Sequence, residues 1–212
     1  MQFYNNLSSI RIKMLIVLIP IILISTISIA TISVLEAKNG LEEQIEARTT
    51  VVLDEINESI EHEFTSHRQI AEAVASVYQA KENELTKSDY RSIIEEMLRL
   101  NTNTLGSGLW LEKYIYNSDT EYFGPYIYRE GDSLLYTEDY ETAEYDYHNT
   151  DWYIAGKNAV DEVGWTDPYY DETTGITMIT TAVPINIDED TIGVISADYD
   201  LTTIQNIISE VK

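Results

Sequence analysis

Three textures of hydrophobicity follow one another along the chain. Met14 to Leu35 reads MLIVLIPIILISTISIATISVL, an apolar run with no charged side chain. At about 1.5 Å per residue its 22 residues reach about 33 Å, enough to cross a bilayer core, so the run predicts a transmembrane helix. A cleaved leader is the competing reading, because Ser28-Ile29-Ala30 resembles a cleavage site. The run, however, exceeds the usual apolar core of a leader, about 7–15 residues. Arg11 and Lys13 precede the span, whereas Glu36, Lys38, Glu42, Glu43 and Glu46 follow it. The positive-inside rule then leaves residues 1–13 in the cytoplasm, 14–35 in the membrane and everything later outside.

The second texture is helical. Leu41, Ile45, Val52, Ile56, Ile60, Phe64, Ile70, Val74 and Val77 recur at spacings of three, four or their sums, without Pro or Gly between them. This predicts one long amphipathic helix in residues 36–82, whose stripe must bury against its own domain or against the same helix of a second chain. A second helix is expected over Lys87–Leu100, capped by Thr86 or Ser88, with Ile93, Met97 and Leu100 as its apolar face and Asn101 and Asn103 beyond its end.

After Leu105 short runs of Tyr, Trp, Ile, Val and Thr alternate with Gly, Asp, Asn and Pro, the pattern of strands and turns. Strands are expected near Gly108–Leu111, Tyr122–Tyr128, Ser133–Tyr136, Trp165–Tyr170, Thr177–Pro184 and Gly193–Tyr199, with a short helix from Trp152 to Val160 that Asp151 starts. Asp171–Gly175 and Asp188–Asp190 read as hairpin turns. Helices before and between strands indicate an α+β domain with a mostly antiparallel sheet over residues 83–212.

Composition removes several function classes. A net charge of −24 opposes nucleic-acid binding, which needs clustered Lys and Arg. With no cysteine there is neither a disulfide frame nor a thiolate metal site, and the spacing of His62 and His67 suggests no zinc. His148 has no serine near it in sequence, and the phosphate-cradling glycine patterns are missing, so no catalytic residue, metal or cofactor is assigned. Asp167 and Asp171 read as turn acids before they read as a glycosidase pair or a calcium site.

One ordered set of residues is more specific. It comprises Asp151-Trp152-Tyr153 with Ala155, Trp165-Thr166-Asp167-Pro168-Tyr169 with Asp171 and Gly175, Thr180 to Pro184, and Gly193-Val194-Ile195 leading to Asp198. From Tyr145 to Asp198 the chain resembles the ligand-binding region of double-Cache domains, the extracytoplasmic PAS-like sensors of bacterial chemoreceptors, sensor kinases and cyclic-dinucleotide enzymes. The resemblance implies a PAS-like fold, a homodimer with long helices side by side, and a receptor, with chemotaxis as the expected output. It also implies continuation beyond Lys212 into a membrane-proximal module, a second transmembrane helix and an output domain. In amino-acid-binding members an arginine two residues before the Trp holds the ligand carboxylate. Thr150 stands there instead, which removes the bidentate guanidinium fork. The Asp-Trp-Tyr run resembles the amine-binding variant, and the ligand contacts it implies are Tyr145, Asp151, Trp152, Tyr153, Tyr169 and Asp198.

The residue types support a cation independently of the family. Aromatic faces hold positive charge at about 0.5–2 kcal/mol per contact, and carboxylates add charge-assisted hydrogen bonds. A quaternary amine relies on the rings, and a primary amine leans on Asp198 and Asp151. Plainer roles compete: sixteen tyrosines cannot all line a pocket, Trp165 reads as packing, and Asp151 could serve only as a helix cap. Asp198 follows the apolar Val194-Ile195, where a buried carboxylate demands a bound cation or a basic partner. Two other readings remain open at this point: a carboxylate or amino-acid ligand paired with Arg129 or Lys157 in a histidine kinase or diguanylate cyclase sensor, and an adaptor that binds no small ligand.

Overall fold

In a computed structural model, the described residues are 10–81, 84–159, 163–188 and 190–203. They divide into two units, one up to Asp54 and one from Glu55 onward. A 72-residue helix, α1 (Ile10–Lys81), contributes to both. It is the one helix among the described residues long and apolar enough to cross a membrane. In the first unit Met14 to Leu35 are exposed, as are Leu41, Ile45, Val51 and Leu53. Pro20 lies inside this stretch.

In the second unit, α2 (Lys87–Leu100) follows α1, and Thr86 closes its first turn in a reciprocal capping box with Asp89. The buried face of α2 is Tyr90, Ile94 and Leu98, with Ile93 and Met97 on its flank. Leu100, expected on that face, ends the helix and is 81% exposed. Position 98 is one turn from 94, whereas position 100 is rotated some 200° from position 98.

Seven strands form one antiparallel sheet: β1 (Thr104–Leu111), β2 (Tyr126–Glu130), β3 (Ser133–Thr137), β4 (Gly164–Trp165), β5 (Tyr169–Asp171), β6 (Ile176–Ile187) and β7 (Asp190–Asp200). Their order is β3-β2-β1-β7-β6-β4, and β5 also pairs with β6. A short helix, α3 (Asp151–Lys157), packs on the face opposite α1 and α2. The α+β class and antiparallel sheet expected from the sequence are therefore observed. Two boundaries differ because of proline. Gly124-Pro125 delays β2 to Tyr126, since Pro offers no N–H to the ladder, and only Phe123 before it bridges to Leu111. Pro168 likewise splits the expected 165–170 strand into β4 and β5. The helix α3 closes at Lys157; Val160, its expected end, lies outside the described residues.

The period-2 alternation of the central strands sorts side chains into two cores. On one face Leu109, Leu111, Ile127, Val183, Ile185, Ile195 and Ala197 meet Ala71, Val74 and Tyr78 of α1 and Ile94 and Leu98 of α2. On the other, Trp110, Tyr126, Ala182 and Val194 meet Tyr140, Tyr147, Trp152 and Tyr153. His67 of α1 joins the first face. Its Nε2–H donates to the Ala197 carbonyl (2.7 Å), which fixes Nδ1 as the acceptor of the Thr104 hydroxyl (3.0 Å). Burial lowers its pKa to about 4, so the ring is neutral.

Candidate ligand chamber

The site grows from the second face. On β1 the residues with that parity are Gly106, Gly108 and Trp110, and the two glycines leave the sheet bare where rings lie on it. A methyl group at Gly108 would sit 2.6 Å from the Trp110 indole, and one at Gly106 would sit 2.3 Å from the Tyr126 hydroxyl. Tyr126 lies opposite Gly108, and Asp198 of β7 lies between Gly106 on one side and Thr180 on the other. The gap above Gly106 lets Tyr126 reach across β1 to the acid.

Asp198 is 4% exposed. Its Oδ2 accepts from Tyr126 (2.7 Å) and its Oδ1 from Thr180 (2.6 Å). With the Thr180 proton committed there, Tyr169 donates to Thr180 Oγ1 (2.7 Å). Among the described residues Asp198 has no ion-pair partner. Burial pushes its pKa up to about 7 against the pull of these two hydrogen bonds, and the negative charge of Asp171 pushes the same way. Asp171, also buried, accepts from the Tyr140 hydroxyl and from Thr174 N–H and Oγ1–H, all at Oδ1.

Aromatic rings enclose these acids. Trp110 and Trp152 stand 4.9 Å apart between centroids, Tyr126 and Tyr140 meet edge to face at 5.3 Å, and Tyr140 and Tyr145 at 4.8 Å. The chamber they line has a volume of about 10 Å³, room for about one water molecule. Tyr145, Trp152, Tyr169 and Asp171 line both this chamber and an outer cleft of about 710 Å³, whose rim carries Asp151, Trp165, Asp167 and Glu172.

Four of the six residues expected at the site, Tyr145, Trp152, Tyr169 and Asp198, are thus brought together. Asp151 is at the cleft rim and exposed. It is the first residue of α3, not the cap: Thr150 caps, accepting from the Tyr153 N–H (3.4 Å). Tyr153 lines neither space. Its ring packs behind Trp152, and its hydroxyl donates to Glu112 (2.9 Å), because neighbours on one helical turn point about 100° apart. Trp165 packs on Phe64 of α1 (5.2 Å) while 39% exposed toward the cleft. Trp110, Tyr126, Tyr140, Asp171, Met178 and Ser196 complete the lining, Thr180 donates to Asp198 behind it, and none of these is among the expected contacts. The parity of Trp110 with Gly106 and Gly108 was the available signal.

Both basic residues considered for a carboxylate ligand are engaged elsewhere. Arg129 donates to the carbonyls of Leu98, Asn101 and Thr104, and Lys157 pairs with Glu112. Among the described residues no Lys, Arg or His lines the chamber or the cleft. Residues 90–206, more than half of the chain, match the family described as the methyl-accepting chemotaxis protein-like first PDC sensor domain. The chain belongs to this family of sensor domains. A Bacillus subtilis methyl-accepting chemotaxis protein, McpC, is 35% identical over 69 residues, 32% of this chain and 10% of its own length. The sensory domain of the Campylobacter jejuni chemoreceptor Tlp3 with isoleucine bound shares the fold at 17% identity (TM-score 0.62, 82% of this chain and 67% of that one). The extracellular domain of the putative histidine kinase mmHK1S-Z3 does so at 20% (TM-score 0.60, 73% and 58%). The sensor domain described here therefore spans a tenth of its curated relative and less than two thirds of the latter structure.

Proposed function

We propose that the chain is the membrane-anchored sensor portion of a bacterial receptor, of the chemotaxis type, that binds a small cationic amine outside the cytoplasm. The observation that carries the ligand class is a buried carboxylate, Asp198, facing an aromatic chamber whose lining and mouth hold, among the described residues, three further acids and Asp171 but no base. A buried ionised carboxylate is costly unless a cation meets it, and the elevated pKa of Asp198 registers that cost. An ammonium group arriving from the cleft supplies the missing charge, and Trp110, Trp152, Tyr145 and Tyr169 supply ring faces.

An amino-acid ligand, such as the isoleucine of Tlp3, has a carboxylate that this lining offers no basic group to hold. Calorimetric titration of the full chain in detergent with choline, primary amines, α-amino acids and organic acids tests the reading. Heat is expected from amines alone, and binding confined to amino acids or organic acids would refute it. A thermal-shift gain with no compound in the panel would favour a ligand-free adaptor.

In the signalling step the amine enters between the sheet and the segment that begins with α3, stabilises one of two arrangements there, and biases α1. Ligand can drive this only through unequal affinity for the two states. The receptor works as a homodimer, with the Leu41–Ile60 stripe as its helix contact and Met14–Leu35 as its anchor. Cysteines introduced along the stripe should crosslink between copies in membranes.

A further inference from the structure

Resting on the amine reading, we infer that the ligand is an unbranched amine with two positive charges: a terminal primary ammonium in the inner chamber and a second cationic centre in the outer cleft. The chamber admits a group about the size of a water molecule, since its volume is about 10 Å³. An –NH3⁺ group meets that limit, whereas a trimethylammonium presents three methyls around its charge. The chamber's polar atoms point the same way. Asp198 and Asp171 are acceptors, and Ser196, which accepts from the Trp110 indole N–H, retains a lone pair, so the guest that matches them is a donor of several N–H bonds.

The shared wall of Tyr145, Trp152, Tyr169 and Asp171 makes the chamber the inner end of the cleft. An alkyl chain leaving the ammonium must therefore pass between aromatic rings into a space of about 710 Å³, far larger than one methylene chain fills. Asp151, Asp167 and Glu172 line that space, and among the described residues no base compensates them. The carboxylate of an α-amino acid would meet these acids, and an apolar tail would leave them as they are. A second ammonium is the group they attract.

The test is calorimetric titration of the full chain in detergent at pH 8 with 1,4-diaminobutane, n-butylamine and choline. The diamine should bind about fivefold or more tighter than butylamine, the scale of one partly exposed ion pair, and choline more weakly than butylamine. Raising the salt concentration should shrink the diamine's advantage. The double variant Asp167→Asn, Glu172→Gln changes exposed side chains, and it should bring the diamine-to-butylamine ratio toward one, with circular dichroism confirming the fold. Equal affinity for the two amines, tighter binding of choline, or an unchanged ratio in the folded double variant would each overturn the two-charge inference while leaving the amine reading in place. Absence of binding by every amine would overturn both.

Discussion

The two faces of the central sheet are built from the same strands and the same alternation, yet they bury opposite kinds of chemistry. Toward α1 and α2 the sheet presents Leu109, Leu111, Ile127, Val183, Ile185 and Ile195, a dry aliphatic surface. The titratable His67 there is held neutral, with both ring nitrogens satisfied. Toward α3 the same strands present glycine, Trp110, Tyr126, Thr180 and Asp198, and the acid there keeps hydroxyl partners but no counter-charge. Burial raises the pKa of one group and lowers that of the other, in each case away from the charged form. The difference between the faces is that the histidine's hydrogen bonding is complete without charge, whereas the aspartate is the group that the proposed amine would meet.

The comparison can be tested first by cutting into each face. Trp110→Ala removes a ring in contact with Trp152, Tyr126 and Tyr140 and should cost about 3–5 kcal/mol; Ile195→Ala, on the other face, should cost about 2–5 kcal/mol in urea unfolding. Only the first should also abolish amine binding, and equal loss of binding in both would blur the distinction.

Asp198→Asn comes next. Burial raises the pKa of the folded acid to about 7 from the 3.8 of an exposed aspartate in the unfolded chain, so the fold binds the extra proton between those pH values. Wild-type stability contributed by this group therefore falls as pH rises through that window. The Asn variant should be more stable than wild type at pH 8, on the order of 2–4 kcal/mol, and equal to it near pH 3.5. Amine affinity of the wild type should rise up to about tenfold per pH unit below 7 and level off above it, because the proton must leave first; Asn should flatten that profile and weaken binding. A pH-independent affinity in the wild type would show that the carboxylate does not meet the ligand's charge.

His67 gives the opposite slope. Its folded pKa of about 4 lies below the unfolded 6.5, so the unfolded chain takes the proton first and stability falls with acidification, by about 2 kcal/mol between pH 6.5 and 5. Denaturation midpoints in His67→Asn should lose this dependence. The smallest effect belongs to Asp151→Asn, which removes a charge at the first turn of α3 and should lower stability by no more than about 0.3–1 kcal/mol in urea unfolding.

Much of this layout is legible in the residues. Apolar spacing marks α1 and α2, the β-rich runs mark the long strands, and Asp198 stands out as an acid in a run that has to be buried. What the sequence withholds is register. Tyr126 and Tyr128 have the same parity, but only the pairing of Gly108 with Tyr126 decides which hydroxyl reaches Asp198. Tyr140 comes from an irregular segment, where no period assigns a face. Trp152 and Tyr153 are adjacent, and the rotation of one short helix sends the first into the chamber and the second to Glu112. The cap at Thr150 was hidden because Thr and Asp are both favoured there, and only backbone angles separate them.

The hydrogen bond from His67 to the Ala197 carbonyl has a mechanical consequence. Ala197 and Asp198 are consecutive, so one residue faces the chamber and its neighbour is pinned to α1. A sideways slip of β7 by even an ångström would leave a buried imidazole N–H without an acceptor, a loss of about 1–3 kcal/mol. The strand and this stretch of helix are thus yoked, and a tug on the acid reaches the helix through a single peptide unit.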